Sequence, residues 1–517
     1  MNPSYTIKQY LFNRRHLLAS AALLAVAHTS FAQQAPNPLG DFARENGGTE
    51  VQIAVADAVM NICPRLVGFF GGGQNVLDAP DSPNKDLTLR CGELVGTSID
   101  FNDPTAEPSR SLGYTDPDSL LSALQEVSGE ELNSQSTMTV RTSNSQAANI
   151  AGRLNAIRIG TLGAGSSGVA SAFNLDINGV PMVTGGEMPP LGGAASADGD
   201  GSVSPLGWFV NGSYNTGDSD DTDLQNGIDF DSYGITAGMD YRFNNNAVVG
   251  ASIGYDDFDA DFDTTAVVSG GDLSSDGFTG ALFGLMEFGD FYVDGVAMYG
   301  SLDYEMNRRL KYDSENTDPD CQCPDQDRKI ESDTEGDHYT LAINSGWVGY
   351  IDSWMLQPSL GISYRNYEID GYTEKDTLAN GGMELRYDDQ EVESLRSNLG
   401  LRISRAFNQS YGVLMPTVSM DWYHEFEDDA EDIKTKYAQE DELARTDPEL
   451  GFSASLSDCL SCFTIRGEDP DADYGVIGAG LSLILPNQIQ LLAHYEGLVG
   501  YDDLTSHAFT ISIRGQF

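Results

Sequence analysis

Between Ser232 and Phe243 the chain alternates strictly between apolar and polar positions. Tyr233, Ile235, Ala237, Met239, Tyr241 and Phe243 share one face of an extended strand, and Ser232, Gly234, Thr236, Gly238, Asp240 and Arg242 the other. Period two over this length predicts a β-strand able to cross a membrane. The pattern recurs with Leu356, Leu360, Ile362 and Tyr364 opposed to Gln357, Ser359, Ser363 and Arg365. It recurs again with Leu399, Leu401 and Ile403 opposed to Asn398, Arg402 and Ser404. Such runs number 12, near 207–215, 231–243, 247–258, 275–288, 291–304, 337–350, 354–368, 392–405, 411–425, 473–485, 488–499 and 505–517. Connections after even-numbered runs are short, as at Asn244-Asn245-Asn246, Gly289-Asp290 and Pro486-Asn487. Those after odd-numbered runs are mostly long and acidic, as at 305–336 and 426–472. Short periplasmic turns, long outer loops and an even count predict an all-β, 12-stranded antiparallel transmembrane β-barrel in the C-terminal part. Tyr, Phe and Trp near the strand ends suit aromatic girdles.

Upstream the periodicity changes. Thr49 to Leu66 has helical spacing, Asp116-Pro117 can start a short helix, and Ser128 opens a capping box with Glu131. From there to Arg158 a long helix is expected. Residues 159–206 are rich in Gly, Ala, Ser and Pro without periodicity, which reads as a flexible linker. At the N-terminus Lys8, Arg14 and Arg15 precede the apolar stretch Leu17 to Ala27 and the small-x-small site Ser30-Phe31-Ala32. This is an export signal, too short to span a bilayer, with cleavage expected after Ala32. The expected organisation is a signal peptide at 1–32, a small mainly helical passenger-like unit at 33–158, the linker at 159–206 and the barrel at 207–517.

Charge narrows the partners. With 28 basic against 79 acidic residues the formal charge is −51, which excludes nucleic acid as a partner because phosphate binding needs clustered Lys and Arg. The acidic stretches Asp218 to Asp223 and Asp256 to Asp263 are expected to be solvated loops, with loose divalent-cation bridging to anionic headgroups as their one functional reading. Neither has calcium-loop spacing. Six cysteines fall in the exported portion as Cys63 and Cys91, Cys321 and Cys323, and Cys459 and Cys462. Export permits disulfides and local pairing is the default, though sequence alone leaves the connectivity open. Zinc is disfavoured by the Cys-Gln-Cys spacing.

Phe509, Ile511 and Ile513 alternate up to the terminal Phe517, a pattern by which barrel-assembly machinery recognises its substrates. The stretches GWFVNGSYN at 207–215, GMDYRF at 238–243 and HYEGLVG at 494–500 resemble the autotransporter β-domain family, as do the helical stretches ALQEVSGEEL and NIAGRLNAIR upstream. The resemblance covers roughly 120–158 and 207–517. It implies an outer-membrane barrel that anchors and translocates or displays an N-terminal module, with the Sec export machinery, the barrel-assembly machinery and the lipid bilayer as partners. Two features depart from the family pattern. Gly515 stands where an aromatic or aliphatic residue is commoner, and the Gly-rich linker separates the helix from the first strand. The linker puts the family's pore-plugging helix in doubt for this chain, and the spacing alone does not decide it.

Candidate chemistry is sparse. The passenger and linker hold no His, so His-dependent triads and His-metal sites are excluded there. GTS at 96–98 and GDS at 217–219 are three-letter matches to hydrolase serines, and Gly71-Gly72-Gly73 lacks the rest of a phosphate loop. His338, His424 and His507 are placed near outer strand ends, and His494 inward with Glu496. No catalytic, cofactor or metal residues are assigned and the chain is expected not to be an enzyme; a barrel-rim hydrolase is the minor alternative. Inward positions carry Asp240, Arg242, Arg365, Arg396, Arg402, Asp421, His494, Glu496 and Arg514. They could line a channel or clasp the helix, so an outer-membrane pore with a periplasmic helical appendage is the second reading.

Overall fold

The computed structural model describes residues 37–516, apart from 104, 106–107, 109, 131–145, 159–175, 178–179, 182–204 and the loop positions 223, 245, 266–268, 320, 429, 431, 448, 450 and 486–488. The expected export signal, Glu131, most of the linker and Phe517 lie outside the described residues.

Twelve strands form the wall: β1 Leu206–Ser219, β2 Ile228–Asn244, β3 Ala247–Phe262, β4 Gly271–Phe288, β5 Phe291–Tyr312, β6 Gln326–Trp347, β7 Trp354–Ile369, β8 Gln390–Arg405, β9 Gly412–Glu425, β10 Asp473–Ile484, β11 Gln490–Val499 and β12 Leu504–Gln516. Each pairs antiparallel with its neighbours in sequence. β12 closes onto β1, with Ile513 opposite Val210, so the sheet has no free edge.

The wall changes polarity along its height. Tyr233, Ile235, Ile253, Phe278, Leu282, Val293, Leu341, Ile343, Leu360 and Ile511 are exposed on the outer surface, forming the apolar belt that meets lipid. Farther from the short turns the sides exchange. On β5, Tyr299 is 60% exposed, whereas Leu302, two residues beyond Gly300, is 3% exposed. From there Leu302, Tyr304, Met306, Arg308, Leu310 and Tyr312 point inward, while Asp303, Glu305, Arg309 and Lys311 point to solvent. Asp229 and Asp231 on β2, Asp259 and Asp261 on β3, and Asp333, Glu335 and Asp337 on β6 continue this charged outer face. An apolar outer face is stable only in hydrocarbon and a carboxylate face only in water, so the exchange marks the outer membrane boundary.

Two expectations are corrected by this. Residues 305–336 are not mainly a loop, because β5 and β6 stay paired out to Tyr312 opposite Gln326. Likewise Asp256 to Asp263 is largely strand β3 rather than a solvated loop. In both, the apolar residues face a protein core and most of the charges face water, with Asp256, Arg308 and Arg328 the buried exceptions, so the composition resembles a loop while the geometry is a sheet.

That core is completed by the N-terminal helices. They are α1 Pro38–Glu45, α2 Glu50–Phe69, α3 Gly73–Asp78, α4 Pro83–Asn102 and α5 Pro117–Glu126. Thr49 and Gln52 form a reciprocal capping box on α2, Ser82 caps α4, and Asp116 caps α5 ahead of Pro117. The α2 helix is long and apolar enough to cross a bilayer by composition, but half of its most apolar window is buried within the fold. Cys63–Cys91 joins α2 to α4. One apolar cluster runs from Leu94 and Leu124 of these helices through Phe258, Tyr304 and Leu310 of the strand extensions. It continues into Tyr387, Ile433 and Ile465 of a three-stranded sheet made by Leu385–Tyr387, Asp432–Tyr437 and Phe463–Arg466. The helical unit therefore sits on the long-loop end of the barrel and shares its core with the loops.

Of the long helix expected from Ser128 to Arg158, residues 131–145 lie outside the described residues. Ser128 and Gly129 form a turn, with Gly129 at φ +68°, and the Ser128 Oγ accepts from the Glu130 N–H. Helix α6 occupies residues 146–158.

Candidate functional site

Helix α6 lies inside the barrel, and each of its faces has a different neighbour. Gln146, Asn149 and Arg153 turn toward β1 and β2. Thr236 Oγ1 donates to Gln146 Oε1 at 2.6 Å, and Asn149 Nδ2 donates to Thr236 Oγ1 at 2.9 Å. Asn211 Nδ2 donates to the Asn149 carbonyl at 2.9 Å. Arg153 grips Asp240 through Nε at 2.7 Å and through Nη2. At the C-terminal end Arg158 pairs with Asp294 and lies 4.2 Å over the Tyr292 ring. On a second face Ile150, Leu154 and Ile157 pack with Phe209, Phe283, Leu285, Met355 and Met415 toward the short-turn end. The third face, Ala147, Ala148, Ala151, Gly152 and Asn155, borders open space. Gly254 makes room for the helix, since a Cβ there would stand 1.9 Å from Gln146 Oε1.

The helix thus runs from Gln146 beside Gly254, toward the outer side, to Arg158 beside the short turn at Gly289. This resolves the doubt that the linker raised. A long connection to β1 does not keep the helix out of the pore, because the helix is held by two buried ion pairs rather than by its tether.

The inward residues named from the alternation fall into two groups. Asp240 is bound by Arg153, and Arg514, bonded to Gln490, shares that electrostatic neighbourhood. Arg242 lies at the short-turn rim, its N–H donating to Pro205 O at 2.8 Å. Arg365, Arg396, Arg402, Asp421, His494 and Glu496 instead line a cavity of about 920 Å3 beside the helix. Within it His494 Nε2 and Glu496 Oε1 are 3.1 Å apart, and Arg396 Nη1 donates to Tyr474 at 2.5 Å. Asp294 and Tyr292 went unnamed, although the strand parity that placed Asp240 also turns them inward.

Other named residues lie apart from the lumen. Phe509, Ile511 and Ile513 are exposed on the lipid-facing side of β12. His424 contacts Asp473 at 3.0 Å and His507 contacts Tyr495 at 2.9 Å, near the outer ends of their strands. His338 is buried against Thr279 at 3.1 Å. Ser98 is buried and donates to Val95 O, while Ser219 donates to Asp503 O. Cys321–Cys323 closes the tip of the β5–β6 hairpin and Cys459–Cys462 lies in the β9–β10 connection. Among the described residues no group of three or more His, Cys, Asp or Glu is placed to hold a metal ion.

A second set of polar contacts fastens the helical unit to the barrel, and no local sequence pattern announced it. Arg308 of β5 donates to both oxygens of Glu374, at 2.7 and 2.9 Å, and to the Glu126 carbonyl at 3.1 Å. The Glu126 carboxylate accepts from Ser269 Oγ at 2.6 Å and the Lys311 N–H at 2.8 Å. Arg328 bridges Asp86 of α4 and Asp376. Glu93 is fully buried between Arg90 and Arg110. Burial pushes the carboxyls of Glu93 and Glu126 above their ordinary value, outweighing the neighbouring arginines and hydrogen bonds; burial does the same to Glu384.

Comparison with known proteins gives one family match. The family model described as Autotransporter beta-domain matches residues 208–496. Two curated relatives, each called Esterase EstA, come from Pseudomonas aeruginosa and Pseudomonas putida. Each is 26% identical over 272 residues, covering 49% of this chain and 38% of the relative. The chain therefore spans well under half the length of these relatives. Among solved structures, the translocator domain of autotransporter NalP from Neisseria meningitidis is 14% identical with a TM-score of 0.42, over 62% of this chain and 90% of that one. The beta domain of the Bordetella autotransporter BrkA is 15% identical with a TM-score of 0.39, over 60% of this chain and all of that one.

Proposed function

Because the chain belongs to the autotransporter β-domain family, we propose that its barrel carries residues 38–130 outward and keeps them docked at the cell surface as a permanent module. The barrel is an outer-membrane anchor for an N-terminal passenger. The observation that carries the finer reading is the course of α6. It threads the lumen with its N-terminal end toward the helical unit and its C-terminal end toward the short, periplasmic turns. The shared core argues for docking rather than release, since separating the two would expose the apolar cluster on both sides.

In this reading the N-terminal segment engages the Sec machinery, and the alternating strand with Phe509, Ile511 and Ile513 engages the barrel-assembly machinery. The chain acts by holding and presenting, without a catalytic step of its own. Support for that comes from Ser98 being buried and from the Ser219 hydroxyl donating to a backbone carbonyl. An epitope inserted after Asp81, in the exposed α3–α4 connection, tests the placement. Antibody should label intact cells. Labelling only after outer-membrane rupture would overturn the reading.

A further inference from the structure

The cavity beside α6 has the chemistry of a binding site. Its wall opposite the helix includes Gln357, Arg402, Asp421, His494 and Glu496. Gln357 is 3% exposed, and neither its amide oxygen nor its amide nitrogen has a hydrogen-bond partner among the described residues. A buried amide is rarely left unsatisfied, so a guest or ordered water must complete it. Arg402 is its cross-strand neighbour, and its guanidinium makes no ion pair or hydrogen bond among the described residues. Asp421 and Glu496 stand within electrostatic reach of Arg402, and His494 holds Glu496 in place. The wall is relieved by glycine. A Cβ at Gly400 would stand 2.2 Å from Asp421 Oδ1, and one at Gly480 would stand 2.6 Å from His494 Nδ1, so both side chains lie flat and leave the centre open.

Donors for an anionic group and acceptors for a cationic group therefore share one space. Toward the outer loops the same cavity is edged by Glu427, Glu468, Asp469 and Asp471. That fringe repels free anions and draws in molecules carrying a positive group. A neutral sugar would use neither charge pair, and a simple cation would leave Arg402 and Gln357 unsatisfied.

We propose that the lumen cavity binds a small zwitterion, an amino acid or short peptide, with its carboxylate on Arg402 and Gln357 and its ammonium against Asp421 and Glu496. The cavity volume suits such a guest together with bridging waters. The site goes beyond anchoring and does not depend on it.

Calorimetric titration of the full chain in detergent micelles, using L-alanine, L-alanyl-L-alanine, propionate and ethylamine, tests this directly. At least one of the two zwitterions should bind ten-fold or more tightly than both half-ligands. Arg402→Gln should weaken it at least ten-fold and Gln357→Leu several-fold, each checked for a heat-modifiable folded barrel. If Arg402→Gln does not fold, the Gln357→Leu result decides alone. Equal binding of zwitterions and half-ligands, unchanged affinity in the folded variants, or no binding at all would overturn the proposal, the last leaving a cavity filled with water only.

Discussion

Arg153 of α6 places two hydrogen bonds on the Asp240 carboxylate of β2, joining residues 87 positions apart inside the lumen. Both side chains are almost fully buried, so neither charge can be returned to water without moving the helix. Breaking such a pair by removing one partner leaves an uncompensated buried charge, at a cost of about 3–5 kcal/mol. Asp240→Leu should therefore unseat α6. Planar-bilayer conductance should rise toward that of a chain lacking 146–158, and Arg153→Met combined with Asp240→Leu should recover much of the low conductance. Unchanged conductance in the single variant would show that the apolar face of α6 holds it without the ion pair.

The helical unit has its own tight contact. A Cβ at Gly96 in α4 would stand 1.6 Å from the Arg110 backbone oxygen, and a backbone carbonyl cannot swing aside as a side chain can. Gly96→Ala should cost about 1–3 kcal/mol through overpacking, despite the better helix propensity of Ala. Limited proteolysis of the full chain should release fragments from 38–130 faster in the variant, with the barrel unaffected.

Docking should depend on pH in a defined direction. The carboxyls of Glu93, Glu126 and Glu384 are raised from the ordinary 4.5 by burial. The folded state thus holds their protons more tightly than the unfolded state does. Stability from this source is complete below the ordinary glutamate value and is lost as pH rises through the raised folded values. Amide exchange in α4 and α5, corrected for intrinsic rates, should show greater protection at about pH 5 than at about pH 7.5. Glu126→Gln should reduce that difference. Greater protection at the higher pH would refute the assignment.

How much of this could be read from the chain depends on where each signal resides. The alternation in β2 was plain because one of its faces meets lipid over the whole crossing. Above the membrane β5 keeps the same period with reversed polarity, so Asp303, Glu305, Arg309 and Lys311 make a strand look like an acidic loop. The inward position of Asp240 followed from parity, but its partner did not, because no local pattern links Arg153 to a strand so distant in sequence. The linker left the helix's place open for a related reason. A tether's length limits where a helix can reach, whereas its seat is chosen by the contacts waiting there.

The polarity exchange on the strands makes a prediction about depth. Leu282 and Ile343 lie within the apolar belt, 64% and 58% exposed. Arginine at either should meet hydrocarbon and cost about 2–4 kcal/mol, whereas near the interface the same change should cost roughly 0–1 kcal/mol. Phe291 is equally exposed, at 61%, but sits beside the short turn at Gly289-Asp290, and Asp303 lies beyond the exchange point on β5. Leu282→Arg and Ile343→Arg should therefore lower the yield of heat-modifiable barrel in the outer membrane, Phe291→Arg only slightly, and Asp303→Arg not at all. Leu302 reverses the logic, since it faces inward just above the belt at 3% exposure. Leu302→Asp should leave insertion intact while loosening the helical unit, visible as faster proteolysis of 38–130 in a normally assembled barrel. If Leu302→Asp abolished insertion as Leu282→Arg does, the membrane boundary would lie farther out on β5 than the exchange of faces places it.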